Sequence, residues 1–250
     1  MGKSYDIRGI VFDKDGTLLD FEATWMPAFR RIAMQAADAD APLSARLLAI
    51  GGYCEQRGKI KSGSLFASGN SQLIARAWAP HTSGKRQGAL ARMIEAAFLD
   101  EGERHSRALF NVAALFSRLK AGGIAIGIAS SDSERGIENT LSGLDILHRV
   151  DFYCGYDSGF GFKPEPGMIK AFCAATGIAA SKTAVVGDNP HDLEMGRNAG
   201  VVLNIGVLSG NSTAAELAPL ADEIRSSAHE ILDIIHLENK PFSPGKGGAP

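Results

Sequence analysis

The chain has 250 residues, enough for one large domain or two small ones, and its 45% hydrophobic and 22% charged content is ordinary for a globular fold. A net charge of −2 removes the electrostatic case for nucleic acid or an anionic membrane surface as partner. Three widely spaced cysteines, Cys54, Cys154 and Cys173, form no C-x-x-C pair, which argues against a disulfide framework or a zinc site and fits the reduced thiols of a cytoplasmic protein.

The first element is a short apolar run over residues 7–12, rich in β-branched side chains, that reads as a buried strand. It ends in Asp13-Lys14-Asp15-Gly16-Thr17-Leu18, two carboxylates with a glycine that permits a sharp turn. An extended backbone through Asp15 would point both carboxylates the same way. A helix is predicted over 20–38, where Phe21, Trp25, Phe29, Ile32 and Ala36 make an apolar stripe whose first turn lies near the acidic pair. A second helix covers about 43–50 and closes at Gly51-Gly52. Residues 51–70 lose periodicity and carry Arg57, Lys59 and Lys61, with a short hairpin expected around Lys59–Phe66. Helical patterns follow at 71–79 and 86–99.

Strand and helix then alternate. Helices are expected at 107–120, 133–142, 166–176, 190–199 and 228–237, and strands at 124–129, 151–154, 183–187, 201–205 and 221–224. That alternation implies a parallel sheet with right-handed crossovers, an α/β fold interrupted by a helical insertion after its first strand. The Pro- and Gly-rich tail, 239–250, is expected to be disordered. No apolar stretch approaches the ~20 residues that cross a bilayer, and the first strand starts too early for a signal-peptide core.

Three later strand ends carry polar residues that suit chemistry. Ser130-Ser131-Asp132 follows a strand and fits either a helix N-cap or a phosphate seat built from a hydroxyl and helix-start N–H groups. Lys163 sits in Gly161-Phe162-Lys163-Pro164-Glu165-Pro166, where the following proline keeps the lysine out of a helix. Residues Gly187-Asp188-Asn189-Pro190-His191-Asp192 combine helix-start signals with an aspartate at the end of a buried strand and a second carboxylate four residues on, which capping alone does not explain.

Taken in order, the strand ending Asp-x-Asp-Gly-Thr-Leu, Ser130, the Gly-x-Lys-Pro-x-Pro phrase and Gly-Asp-x-x-x-Asp resemble the motifs of the haloacid dehalogenase-like superfamily of phosphohydrolases. The resemblance covers residues 7–236, strongly at the motifs and weakly between about 20 and 110. It implies a Rossmann-like core (1–20 and 106–238) with an inserted helical cap (21–105) that closes over the site. It further implies that Asp13 is the nucleophile, Asp15 the general acid and base, and Lys163 the counter-charge. Ser130, Ser131 and the N–H groups around Lys14 and Asp15 would hold the phosphoryl oxygens. Mg²⁺ would sit between the Asp13 carboxylate, the Asp15 carbonyl and Asp188, with Asp192 orienting its surroundings. Asp15 points away from dehalogenation and toward phosphate esters, because dehalogenating members lack an acid there.

Among phosphatases the helical insertion and basic loop look most like phosphoglycolate phosphatases, with Arg57, Lys59 or Lys61 available to a small metabolite's carboxylate. The alternatives are a phosphomutase of the β-phosphoglucomutase type, and a phosphatase for another sugar phosphate or a nucleotide. A non-catalytic binding protein would show damaged motifs, and all are intact. A monomer or homodimer acting in the cytoplasm is expected.

Overall fold

Four consecutive buried residues, Gly9–Phe12, form β1, the central strand of the molecule. The computed structural model describes residues 5–82 and 84–235. After β1 come α1 (Phe21–Ala36), α2 (Ala41–Gly51), the hairpin β2 (Tyr53–Cys54) and β3 (Lys59–Ile60), α3 (Leu65–Ser68), α4 (Ser71–Trp78) and α5 (Gln87–His105). The chain then runs through α6 (Val112–Ala121), β4 (Ala125–Ala129), α7 (Glu134–Gly143), β5 (Phe152–Cys154), α8 (Gly167–Thr176), β6 (Thr183–Gly187), α9 (Pro190–Ala199), β7 (Leu203–Val207), α10 (Ala214–Leu217) and β8 (Glu223–Arg225).

The six-stranded sheet has the order β5-β4-β1-β6-β7-β8, and every pairing in it is parallel. The chain builds outward from β1 through β4 to β5, then returns to lay β6 on the other side of β1. The crevice at the carboxyl ends of the strands where the order reverses is where open α/β sheets bind ligands.

Alternate residues of β1 serve two cores, as a period of two requires. Ile10 and Phe12 pack with Phe116 and Leu119 of α6 and Ile137 and Leu141 of α7. Val11 faces Met168, Ile169 and Phe172 of α8 and Met195 of α9. A third apolar cluster joins Trp25, Phe29 and Ile32 of α1 to Leu47, Phe66, Ile74, Trp78, Leu90 and Ile94, all from the segment between β1 and α6. Among the described residues no helix is long and apolar enough to cross a membrane.

Several expected boundaries shift for local reasons. The hairpin lies earlier than 59–66, because Gly52 closes α2 at φ +105° and feeds directly into β2. Two-residue strands are too short to show alternation. The helix expected from 107 starts at Val112, where the Asn111 side chain accepts from the Ala114 N–H as N-cap. The helix expected to stop at 99 continues to His105, with Arg104 paired to Asp100 across one turn. The strand expected at 201–205 is displaced to Leu203–Val207. The last expected helix is a 3₁₀ segment, Ala228–Asp233, and the tail at 239–250 lies outside the described residues.

The Phe172 ring lies against β1 and β4, where a Cβ on Gly9 or Gly127 would come within 2.8 or 2.6 Å of it. Phe172→Ala should therefore leave a cavity over two bare backbone positions and cost about 3–5 kcal/mol of stability, read from urea unfolding. A loss below about 1 kcal/mol would contradict this packing.

Candidate active site

Asp13, Ser130 and Asp188 each follow the carboxyl end of a sheet strand, β1, β4 and β6, so the topology alone gathers them. The backbone does not stay extended past Asp13. It bends at Lys14, whose carbonyl accepts from the Leu18 and Leu19 N–H groups. Gly16 takes φ +90°, and a Cβ there would sit 2.7 Å from the Asp188 carboxylate, so glycine admits both the turn and that approach. Asp13 and Asp15 nonetheless line one recess, together with Ser130, Ser131, Lys163, Asp188 and Asp192.

Lys163 is the counter-charge of this cluster. Its Nζ donates to Asp13 Oδ1 at 2.5 Å and to Asp192 Oδ1 at 2.6 Å, with all three side chains buried. Asp192 Oδ2 accepts from the Asn189 N–H at 3.0 Å, which closes the capping box of α9 and fixes the carboxylate that fixes the lysine. Asp188 accepts from the Thr17 hydroxyl at 3.3 Å and the Asn211 N–H at 3.2 Å.

Burial raises the Asp13 carboxyl to about 7, against the Lys163 charge and with the help of Asp192 and Asp15. Asp188 is also held well above the usual carboxylate range, by burial first and then by Asp13 and Asp192. For Lys163, burial opposes the charge, but Asp13 and Asp192 outweigh it and hold the ammonium above its ordinary pKa. Asp13, Asp188 and Asp192 bring carboxylate oxygens within 4.8 Å of one another, an all-oxygen set suited to a hard cation. Asp192 is occupied by Lys163 and Asn189, which leaves Asp13 and Asp188 as the carboxylates best placed to hold one.

Lys14 does not reach the recess with its side chain. Its fully buried ammonium pairs with Asp15 Oδ2 at 2.7 Å and Asp132 Oδ2 at 3.0 Å. Asp15 Oδ1 accepts from the Trp25 indole N–H at 2.6 Å, so both oxygens of that carboxylate are held. Sequence reasoning placed Trp25 in an apolar stripe; the available signal was that a buried indole N–H needs an acceptor, and the acidic pair lies just before this helix. Ser130 is buried, its Oγ accepting from the Asp132 N–H at 3.1 Å. The N-cap of α7 is Ser133 rather than Ser130, Ser131 or Asp132, which leaves the Ser130 hydroxyl to the recess.

Arg57, Lys59 and Lys61 are exposed on and beside the hairpin, and none lines the recess. Among the described residues, Lys163 is the only lysine or arginine that does. Glu95, Tyr156 and Ser71 do line it, and no motif in the sequence marked them.

Comparison with known proteins fits this geometry. N-acetylmuramic acid 6-phosphate phosphatase of Pseudomonas aeruginosa is 24% identical over 93% of this chain and 96% of its own. Phosphoglycolate phosphatase of Escherichia coli K12 is 28% identical over 96% of this chain and 98% of its own. The crystal structure of a predicted phosphoglycolate phosphatase from Haemophilus somnus superposes with a TM-score of 0.71 at 20% identity, covering 93% of this chain and 98% of that one. The family model for haloacid dehalogenase-like hydrolase matches residues 7–200, and the chain belongs to that family.

Proposed function

We propose that the protein is a Mg²⁺-dependent phosphatase that hydrolyses a small phosphate monoester through an aspartyl-phosphate on Asp13. The observation that carries this reading is the convergence of Asp13, Asp15, Ser130, Lys163 and Asp188 on one recess, with Lys163 bridging Asp13 and Asp192. The Asp13 carboxylate attacks phosphorus and the alcohol leaves with a proton from Asp15, which then takes a proton from water as the acyl phosphate is hydrolysed. Trp25 and Lys14 position Asp15 for both transfers. Ser130, Ser131 and the N–H groups of the Lys14 bend hold phosphoryl oxygens, and Lys163 offsets their charge.

Asp13 and Asp188, with the Asp15 carbonyl, would hold Mg²⁺, which supplies positive charge to the transferring group. Residues 21–105, with their own apolar cluster, act as a cap over the recess. The free cysteines support a cytoplasmic setting. Relatives bear the name phosphoglycolate phosphatase, which makes 2-phosphoglycolate one of the esters to assay. Release of inorganic phosphate without a bisphosphate activator separates this reading from a phosphomutase.

Two variants test the proposal. Ser130→Ala should lower turnover on the order of 10²–10³-fold, as removal of one oxyanion donor does, and a fall below about threefold would reject its role. Two ionised carboxylates within 4.8 Å of each other repel by at least about 3 kcal/mol at an effective dielectric near 20. Asp188→Asn should therefore raise the melting temperature of the metal-free protein and abolish its response to Mg²⁺. Wild type should gain about 2.7 kcal/mol at a free Mg²⁺ concentration about 100 times Kd. A wild-type melting temperature insensitive to Mg²⁺ would reject the metal site.

A further inference from the structure

The recess has an outer part that the phosphoryl chemistry does not use. Aromatic side chains form much of the outer wall: Phe21, Phe29, Phe66 and Phe98. Phe29 and Phe66 stack at 3.9 Å, and Phe98 meets Phe29 edge-on at 5.6 Å.

Set among these rings is a polar group of three. The Tyr156 hydroxyl, from the segment after β5, donates to Glu95 Oε2 of α5 at 3.1 Å and lies 3.0 Å from Ser71 Oγ of α4. Burial pushes the tyrosine up to about 12, so it stays a neutral donor. Glu95 Oε1 meets no protein donor among the described residues, and no cation there pairs with this carboxylate. The recess thus carries an acid with an acceptor to spare, and its one lysine is already committed to Asp13 and Asp192.

That charge distribution sorts leaving groups. A carboxylated alcohol would bring a second anion toward Glu95 with no arginine or lysine to receive it, and like charges in a partly desolvated recess repel. An uncharged ring alcohol would lay its face on the aromatic wall and donate a hydroxyl to the free oxygen of Glu95.

We infer that the outer recess selects phosphate monoesters of uncharged, hydroxyl-bearing ring alcohols, Glu95 accepting a hydroxyl of the leaving group, and disfavours carboxylated esters such as 2-phosphoglycolate. This inference rests on the phosphatase reading above and narrows its substrate class.

The test compares kcat/KM for hexose 6-phosphates, 2-phosphoglycolate and 3-phosphoglycerate in wild type and in Glu95→Gln, with Tyr156→Phe as a second variant that leaves the carboxylate in place. Wild type should favour the hexose esters by about tenfold or more. Glu95→Gln should move the ratio toward 2-phosphoglycolate by about tenfold, through KM more than kcat, because it removes binding rather than chemistry. Tyr156→Phe, which retains the charge, should leave wild-type discrimination against the carboxylated esters in place. Active wild type that prefers 2-phosphoglycolate, or an active Glu95→Gln whose ratio stays within about twofold of wild type, would overturn the inference and leave the phosphatase reading standing. Wild type that hydrolyses none of these esters, nor phenyl phosphate, would instead reject the phosphatase reading and this inference with it.

Discussion

Among the described residues Lys163 is the single cation paired within the cluster of three buried carboxylates, and the site depends on that imbalance. Asp13, Asp188 and Asp192 are packed close enough to repel strongly, while one ammonium satisfies only Asp13 and Asp192 directly. Burial first, and then the neighbouring carboxylates, hold Asp13 and Asp188 above the ordinary carboxylate range.

The fold holds this cluster against its own repulsion by fixing each member from a different element. Asp13 continues β1, its N–H donating to Val186 of β6 at 2.8 Å. Asp192 is tied by the capping box of α9, and Asp188 is seated by the Thr17 hydroxyl and the Asn211 N–H. Gly16 and Gly210 approach Asp188 so closely that a Cβ at either would collide with its carboxylate. A second buried set, Lys14 between Asp15 and Asp132, anchors the other aspartate of the pair, with Trp25 of α1 reaching back to it. The first helix after the central strand is thereby linked to the acidic site it borders.

The α/β class, the parallel sheet and the membership of the motif residues were legible because phosphoryl chemistry demands particular residue types at strand ends, and strand ends are visible as apolar runs that stop. The direction of Lys14 was not legible, since it depends on the bend after Phe12 and on Asp132, more than a hundred residues away. Arg57, Lys59 and Lys61 drew attention because a long aperiodic stretch with basic residues suggests a binding loop. A hairpin only two residues per strand turns them to solvent instead. Glu95 and Tyr156 carry no motif: each is one polar residue within an ordinary local pattern, and only the packing of α5 and the segment after β5 brings them to the recess.

The central claim is that Asp13 carries the phosphoryl group between substrate and water. It is tested most directly by a single-turnover reaction with Mg²⁺ and a hydrolysed ester, quenched in acid and digested for peptide mass spectrometry. The account predicts a transient gain of one phosphoryl group on the peptide holding Asp13, lost on treatment with hydroxylamine. Turnover with no label on that peptide at any time, or a label that maps to another residue, would contradict it.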